Sequence, residues 1–442
     1  MNKVLIITYY WPPSGGSGVQ RWLKFVKYLP AYDWEPHVFT PENPSFAVQD
    51  PSLEKDVPQE AEVIRFPIWE PYDVFYRMSA WFDPKKKSTP TSMMPARSGT
   101  LFQKTSTWIR GNLFVPDPRK FWVKPSVQFL SDYLTRNKID IIITTGPPHS
   151  VHLIGLKLKL KNPQLKWLAD FRDPWTEWGL WDSLMVSKLI RKVHKKMETS
   201  VLTHADEIIT ITPFYVKRFE HLARRPVRLL TNGFDEEDFK EIVYEKTDRF
   251  VIRHIGLVNE KCDPRPFMNA LRLEMETNKD LARDVRVEFI GDVHHEFIRY
   301  VTEIEPLKRV TAFPGNIPHK QLLKMYGSSS VSLMILTGYK DPEGFLPGKL
   351  FEYLATGLPV LGTGPTQGDA AHLLKETGSG VMVESDDEQG MRAMLREAYT
   401  NWQTHPGMRA PSRRIQEFSR KQITGRLTEI LKYQLEKKSG RL

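Results

Sequence analysis

The chain contains one cysteine, Cys262, among 442 residues. A single thiol cannot build a disulfide framework or a cysteine-ligated zinc cage, which fits a reducing compartment. Long apolar runs are also absent: no stretch approaches the ~18 residues that a membrane-spanning helix requires. The opening MNKVLIITYY leads directly into a strand-like run and lacks the small-residue cleavage site of a signal peptide. The expectation is a cytoplasmic protein. No Asp-x-Asp stands in a loop suited to a metal, no enzyme nucleophile is apparent, and no repeat of solenoid period occurs.

What is present is ample apolar material, 40% hydrophobic and 11% aromatic residues, enough for ordinary cores. The length suggests two or three domains. The formal net charge is +10, and it is unevenly placed. Arg77 to Lys124 holds ten basic and two acidic residues, and Met408 to Leu442 holds ten and three. These stretches carry +8 and +7, so the remainder is −5. Such local excess attracts phosphates, whether of nucleotides, lipid headgroups or nucleic acid, and an ordinary solvated surface is the plainer alternative.

Strand and helix patterns alternate through most of the chain. Strand-like runs lie at Lys3–Tyr9, Glu35–Thr40, Glu62–Arg65, Ile139–Thr144, Lys166–Phe171, Glu207–Thr212 and Val227–Thr231. Helical patterns follow the first and fourth, at Gln20–Leu29 and Val151–Leu160. IDIIIT at 139–144 is almost wholly apolar, as a strand buried on both faces must be. After the turn signal TNGFD at 231–235 and the polar stretch to Asp248, a second series begins. It runs through Phe250–His254, Val285–Ile290, Val310–Phe313, Val331–Leu336, Val360–Gly362 and Val381–Val383. The fold class is therefore α/β: two doubly wound, parallel-sheet units of the kind that enclose a cleft and bind ligands at the carboxyl ends of the strands. The expected domains are 1–240, 241–415, and a basic helix over 416–442. Residues 69–125 break the rhythm with Pro, Lys85-Lys86-Lys87 and scattered aromatics, and read as an irregular insertion.

Two local motifs could carry chemistry. Pro12-Pro13-Ser14-Gly15-Gly16-Ser17-Gly18 joins the first strand to the first helix. Its glycines permit close backbone approach, and the following helix start offers N–H groups to an anion. The spacing is neither G-x-G-x-x-G nor a P-loop, and a structural turn is the alternative. The second motif is LPGKLFEYLATGLPV at 346–360, a helix begun at Pro347 and ended at Gly357. Lys349 and Glu352 share one face near its amino end. A cation beside Gly348 and the free N–H groups suits a diphosphate, and a carboxylate one turn on suits a ribose diol. An ordinary surface Lys–Glu pair is the alternative.

The 346–360 helix resembles the donor-nucleotide helix of retaining GT-B glycosyltransferases of family 4. Lys3–Leu29 resembles that family's first strand, glycine loop and helix. ADEIITITPFYVKRF at 205–219 and TNGFD at 231–235 resemble its hinge-proximal segments, and HIGLVNEKCDPRPFMNA at 254–270 the phosphate loop of its second domain. Gly291-Asp292 and Gly315-Asn316 match the next two loops. The likeness covers nearly the whole chain except 69–125.

The resemblance implies a GT-B fold, with a C-terminal helix returning to the N-terminal domain, and transfer of a sugar from a nucleotide-diphosphate sugar to a hydroxyl. It implies nucleotide-sugar contacts at Gly15, Gly16, Gly256, Lys261, Arg265, Glu343, Gly348, Lys349 and Glu352. Glu352 takes the ribose, and Lys261 with Arg265 the diphosphate. Leu257 follows Gly256 where the family carries an arginine, and Glu343 stands nine residues before Glu352 rather than eight. Lys349 then shares the phosphate role. His149, His152 and Asp173 at strand ends of the first unit, together with Lys349, are the catalytic candidates. Asp170-Phe171-Arg172-Asp173 reads as two carboxylates bracketing an arginine. No metal or other cofactor is expected. The acceptor is expected to be a glycan or lipid-linked hydroxyl of bacterial surface-polysaccharide or lipopolysaccharide assembly. The basic stretches would meet an anionic membrane surface peripherally, on the inner face of the cytoplasmic membrane. Competing readings are an inverting transferase, in which His149, His152 or Asp173 would be the general base, or a nucleotide-sugar epimerase. An inactive scaffold and a nucleic-acid-binding protein are further alternatives. The acidic remainder argues against nucleic acid as a partner.

Overall fold

The computed structural model describes residues 1–46, 49–71, 101–176, 181, 184–240, 242–245, 247–338, 341–405 and 413–438. The chain divides into two compact units, one of 1–211, 215–231 and 424–442, the other of 212–214 and 232–423.

The first unit is built on seven parallel strands: β1 (Asn2–Ile7), β2 (Trp34–Pro41), β3 (Glu62–Phe66), β4 (Ile141–Gly146), β5 (Lys166–Phe171), β6 (Glu207–Thr210) and β7 (Arg228–Leu229). Their order is β3-β2-β1-β4-β5-β6-β7, so the winding reverses between β1 and β4. There Leu5 pairs with Ile142 and Ile7 with Thr144. Val4–Ile7 and Ile141–Ile143 are fully buried, which is why both runs are apolar without alternation. The helices that concern the site are α1 (Ser17–Tyr28), α2 (Leu101–Leu113), α3 (Lys120–Asn137), α4 (Ser150–Lys161) and α5 (Lys188–His204). α1 buries Val19, Trp22, Leu23, Phe25 and Val26, an i, i+3, i+4 stripe against the sheet.

The second unit has six parallel strands, β8 (Phe250–Ile255), β9 (Val285–Ile290), β10 (Thr311–Gly315), β11 (Val331–Ile335), β12 (Val360–Thr363) and β13 (Gly380–Val383), in the order β10-β9-β8-β11-β12-β13. Its relevant helices are α6 (Arg265–Thr277), α7 (Gly348–Thr356) and α8 (Asp369–Thr377). The last helix, α9 (Arg420–Lys438), begins in the second unit, and from Thr424 onward it belongs to the first. Leu427 and Leu431 are buried there, and the Gln434 amide donates to Glu207 at 3.1 Å. Gly425 lets the helix pass Tyr32: a β-carbon at that position would stand 3.0 Å from the tyrosine hydroxyl.

Each strand-like run of the sequence becomes a strand, with ends shifted by a few residues at most. The stretch 69–125 differs from its expectation. Its residues 72–100 lie outside the described part, but 101–113 form α2 and 120–125 open α3. α2 has no clean amphipathic period because Trp108, Ile109 and Leu113 remain exposed on it. It is held by close backbone approach instead. A β-carbon on Gly111 would lie 2.3 Å from the Leu184 carbonyl oxygen, and Asn112 donates to the Met185 carbonyl at 3.2 Å.

Candidate functional site

In the second unit the order reverses between β8 and β11, the place where open α/β sheets bind ligands at the carboxyl ends of their strands. The loops leaving these two strands are stitched together. The Gly338 N–H donates to the Lys261 carbonyl at 2.9 Å, and the Asp263 N–H to Thr337 Oγ1 at 3.1 Å. Cys262 is buried beneath them against the Ile335 carbonyl, and burial pushes its thiol up to about 12, so it stays protonated. The ends of β8, β9 and β10 are formed by Gly256, Gly291 and Gly315, linked in a row by Gly256 N–H to Ile290 O and Gly291 N–H to Gly315 O, both 2.9 Å. Gly291 has φ 133°. A β-carbon there would stand 2.2 Å from the Gly256 carbonyl oxygen, so only glycine allows these strand ends to meet.

α7 follows the β11 loop. Pro347 occupies its N-cap and Gly357, at φ 68°, its C-cap, as its sequence foretells. Leu350, Phe351 and Leu354 are fully buried, and Tyr353 is nearly so. The Tyr353 hydroxyl accepts the Ile255 N–H at 2.9 Å, which fixes the helix to the end of β8. On the partly exposed face Lys349 Nζ donates to Glu352 Oε2 at 2.7 Å. The Tyr326 hydroxyl donates to the same oxygen at 3.1 Å. Open space surrounds the position a Gly348 side chain would take. The first-turn N–H groups of any helix have no intrahelical acceptors, so this end combines partial positive charge, an ammonium and a carboxylate within one turn.

The other residues expected here are placed less directly. Lys261 is exposed on the β8 loop, and no described residue forms an ion pair with it. Arg265 begins α6 but is clamped by Asp263, whose carboxylate lies 2.6 Å from Nη2 and also accepts from Nε. That hydrogen bonding and charge raise its basicity. Glu343 is exposed on a short 3-10 turn, its backbone against Gly368 ahead of α8. Tyr326 and Asp263 were not singled out from sequence, because each acts through a partner found only once the chain is folded or turned.

In the first unit the corresponding strand ends carry the glycine loop and the β4 loop. Gly16 is the N-cap of α1 at φ 86°, with open space around it. The expected Asp170–Arg172–Asp173 bracket is not formed. Asp170, fully buried, instead receives Arg21 Nη2 at 3.0 Å, Trp22 Nε1 at 2.7 Å and Thr145 Oγ1 at 2.9 Å. Burial works to raise its carboxyl, but Arg21 and Trp22 outweigh it and hold it below the usual range. Arg172 donates to three carbonyls, Gly18 at 2.9 Å, Gly146 at 3.1 Å and Pro147 at 2.7 Å, and so ties the three loops together. Asp173 is half-buried, and desolvation raises its carboxyl.

His149 is the N-cap of α4 and stacks on Trp175 at 4.8 Å. Neither ring nitrogen has a hydrogen-bond partner among the described residues. Burial, with help from His152 and His194, drives its basicity well below normal. His152 is fully buried against Phe171, its Nδ1 2.9 Å from Thr144 Oγ1. Trp167 Nε1 donates to that same hydroxyl, so Thr144 links the two rings. Burial lowers its pKa to about 3, so His152 is neutral at pH 7 and a poor general base. Among the described residues no group of three or more His, Cys, Asp or Glu is arranged to hold a metal ion.

No protein-family model matches the chain. No curated protein matches it in sequence. Its fold does match solved structures along nearly their whole length. Sucrose-phosphate synthase from Thermosynechococcus elongatus is similar with TM-score 0.60 at 15% identity, over 98% of this chain and 99% of that one. HepE of Anabaena, solved in complex with UDP-glucose, gives TM-score 0.57 at 14% identity over 98% and 99%. WaaG, a glycosyltransferase involved in lipopolysaccharide biosynthesis, gives 0.55 at 12% over 97% and 99%. The chain thus has the fold of GT-B glycosyltransferases: two Rossmann-like domains with parallel sheets of seven and six strands.

Proposed function

We propose that the protein is a glycosyltransferase that binds a nucleotide-diphosphate sugar in its second unit and passes the sugar, with retention of anomeric configuration, to a hydroxyl acceptor. The observation that carries the reading is α7 beside the switch point: it presents an amino end, Lys349 and Glu352 on one face, and Tyr353 pins it to the end of β8 in a doubly wound sheet. HepE, of the same fold, is a structure with UDP-glucose bound. In this reading Glu352 accepts the two ribose hydroxyls. Gly348 admits the diphosphate to the first-turn N–H groups, and Lys349 neutralises charge as the diphosphate departs. Groups fixed where charge develops favour the transition state over the ground state. The Lys349–Glu352 pair is partly exposed and contributes only a few tenths of a kcal/mol, so the donor can displace it at small cost.

The first unit supplies the acceptor residues. His149 and Asp173 stand at strand ends, and a neutral imidazole there donates to a sugar hydroxyl. The acceptor is a glycan or lipid-linked hydroxyl of surface-polysaccharide or lipopolysaccharide assembly, reached by peripheral contact with an anionic membrane. Two supports are the segregated basic charge and the likeness to WaaG. The test is a panel of nucleotide-sugars in thermal melts, since a ligand bound by the folded state alone raises the midpoint. Stabilisation by a nucleotide-diphosphate sugar is expected. Its absence across the panel, with a folded protein, overturns the reading. The anomeric configuration of an isolated product then decides retention.

A further inference from the structure

Helices α3 and α4 of the first unit flank a groove of about 370 Å³ lined by Lys124, Val127, Gln128, Lys157, Leu160 and Lys161. Its floor is apolar: Val127 is buried in the core edge while Leu160, on the same groove, is 58% exposed. Its rim is cationic. All three lysines are exposed, and no described residue forms an ion pair with any of them. Lys159, between two of them in sequence, is turned away to Asp206 at 2.7 Å, so its charge is already answered. No carboxylate lines the groove. An apolar trough with three unanswered ammonium groups is complementary to an amphipathic anion, whose apolar part would displace water from the floor while its charge meets the rim.

The surroundings extend the same character. Phe121 lies three residues before Lys124 on α3 and is exposed. It packs edge-on against exposed Trp69 at 4.8 Å, and the Lys120 ammonium sits over its ring at 5.2 Å. α2 adds exposed Trp108, Ile109 and Leu113. Exposed apolar and aromatic side chains interleaved with Lys are what an interfacial surface requires, aromatics at headgroup level and ammonium groups at the phosphates.

We propose that this groove binds an anionic phospholipid of the membrane surface, with its phosphodiester held by Lys124, Lys157 and Lys161 and acyl carbons laid along Val127 and Leu160. The inference rests on the membrane contact of the proposed function and assigns it a site. That site is separate from the basic C-terminal helix, which spends Leu427 and Leu431 on the first unit. The experiment is co-sedimentation of the full chain with phosphatidylcholine vesicles, with and without about a third phosphatidylglycerol, comparing wild type with the triple variant Lys124→Gln/Lys157→Gln/Lys161→Gln. Wild type is expected to bind only the anionic vesicles, and 0.5 M salt to release it. The triple variant is expected to bind them roughly a hundredfold more weakly, in keeping with three surface basic residues. Its melting temperature, and its stabilisation by the nucleotide-sugar panel, should match wild type. Equal binding by both proteins, or none by wild type, overturns the lipid site. Melts with the nucleotide-sugar panel report the transferase reading independently, so either idea can fall alone. A neutral Leu160→Gln variant checks the apolar half: unchanged binding would reduce the groove to simple surface charge and also overturn the proposal.

Discussion

Lys349 Nζ and the Tyr326 hydroxyl converge on one oxygen of Glu352, at 2.7 and 3.1 Å. Two donors on one oxygen fix the orientation of the carboxylate on the partly exposed face of α7. Glu352→Ala is expected to abolish most of the stabilisation given by a nucleotide-sugar. Loss of a charged hydrogen bond of this kind amounts to about 1.5–3 kcal/mol, or ten- to a hundredfold in affinity. The melting temperature of the ligand-free variant should fall little. Unchanged donor affinity, measured by calorimetry, would move the ribose elsewhere.

Lys349 is expected to separate binding from turnover. In the proposed reaction its charge would matter most when the diphosphate leaves, so Lys349→Gln should lower kcat by tenfold or more while KM for the donor changes less. A loss confined to KM would make it a ground-state contact.

Arg21 and Asp170 form a pair with at most 1% of either side chain exposed, 149 residues apart in sequence. Breaking such a pair from one side leaves a buried charge without its counter-ion, at a cost of about 3–5 kcal/mol. Asp170→Asn should therefore lower unfolding free energy in urea by about that much. A paired Arg21→Met/Asp170→Leu variant should recover a good part of it. Equal stability of the single variant and wild type would mean the pair is not closed in solution.

The contrast between these residues shows what sequence could disclose. The strands were legible because parallel strands covered on both faces must be apolar runs, as in IDIIIT. Lys349 and Glu352 were legible because helix geometry brings positions three apart together. Arg21 was not: it sits within an apolar helix stripe, and its partner lies four strands further along the chain. Arg172 misled for the same reason, since adjacency to two aspartates suggested an ion pair while its donors go to backbone carbonyls of other loops. α2 escaped because Trp108, Ile109 and Leu113 face outward and obey no core period.

Buried neutral histidines make folding depend on pH. Burial lowers the pKa of His152 to about 3 and of His254 to about 4, against about 6.5 in the unfolded chain. Between those values the unfolded state binds the extra protons, so stability is complete above about pH 6.5 and falls as the medium is acidified. Each group is expected to cost about 2 kcal/mol at pH 5 relative to pH 7, at 1.36 kcal/mol per unit. Asp173 and Glu198, whose carboxyls burial raises, work in the opposite direction at lower pH. Comparison with His152→Gln isolates the effect, because that variant should lose less stability between pH 7 and 5. Identical slopes in urea titrations would show that His152 is not buried in solution.

Two glycines at the proposed donor site should respond in opposite ways. At Gly291 a β-carbon meets the Gly256 carbonyl oxygen at 2.2 Å, and φ is 133°, so Gly291→Ala strains the backbone and displaces the row of strand ends. It should lower the melting temperature and weaken nucleotide-sugar binding together. Gly348 has ordinary helical backbone and open space beside it. Gly348→Val should leave the ligand-free melting temperature within a few degrees of wild type, since the fold does not need that space and glycine itself carries an entropic cost of about 0.5–1 kcal/mol in a helix. Its isopropyl group would nevertheless stand where the diphosphate must approach the first-turn N–H groups. Stabilisation by the nucleotide-sugar should then be lost, and binding at wild-type strength would show that the space beside Gly348 is solvent and not the phosphate site.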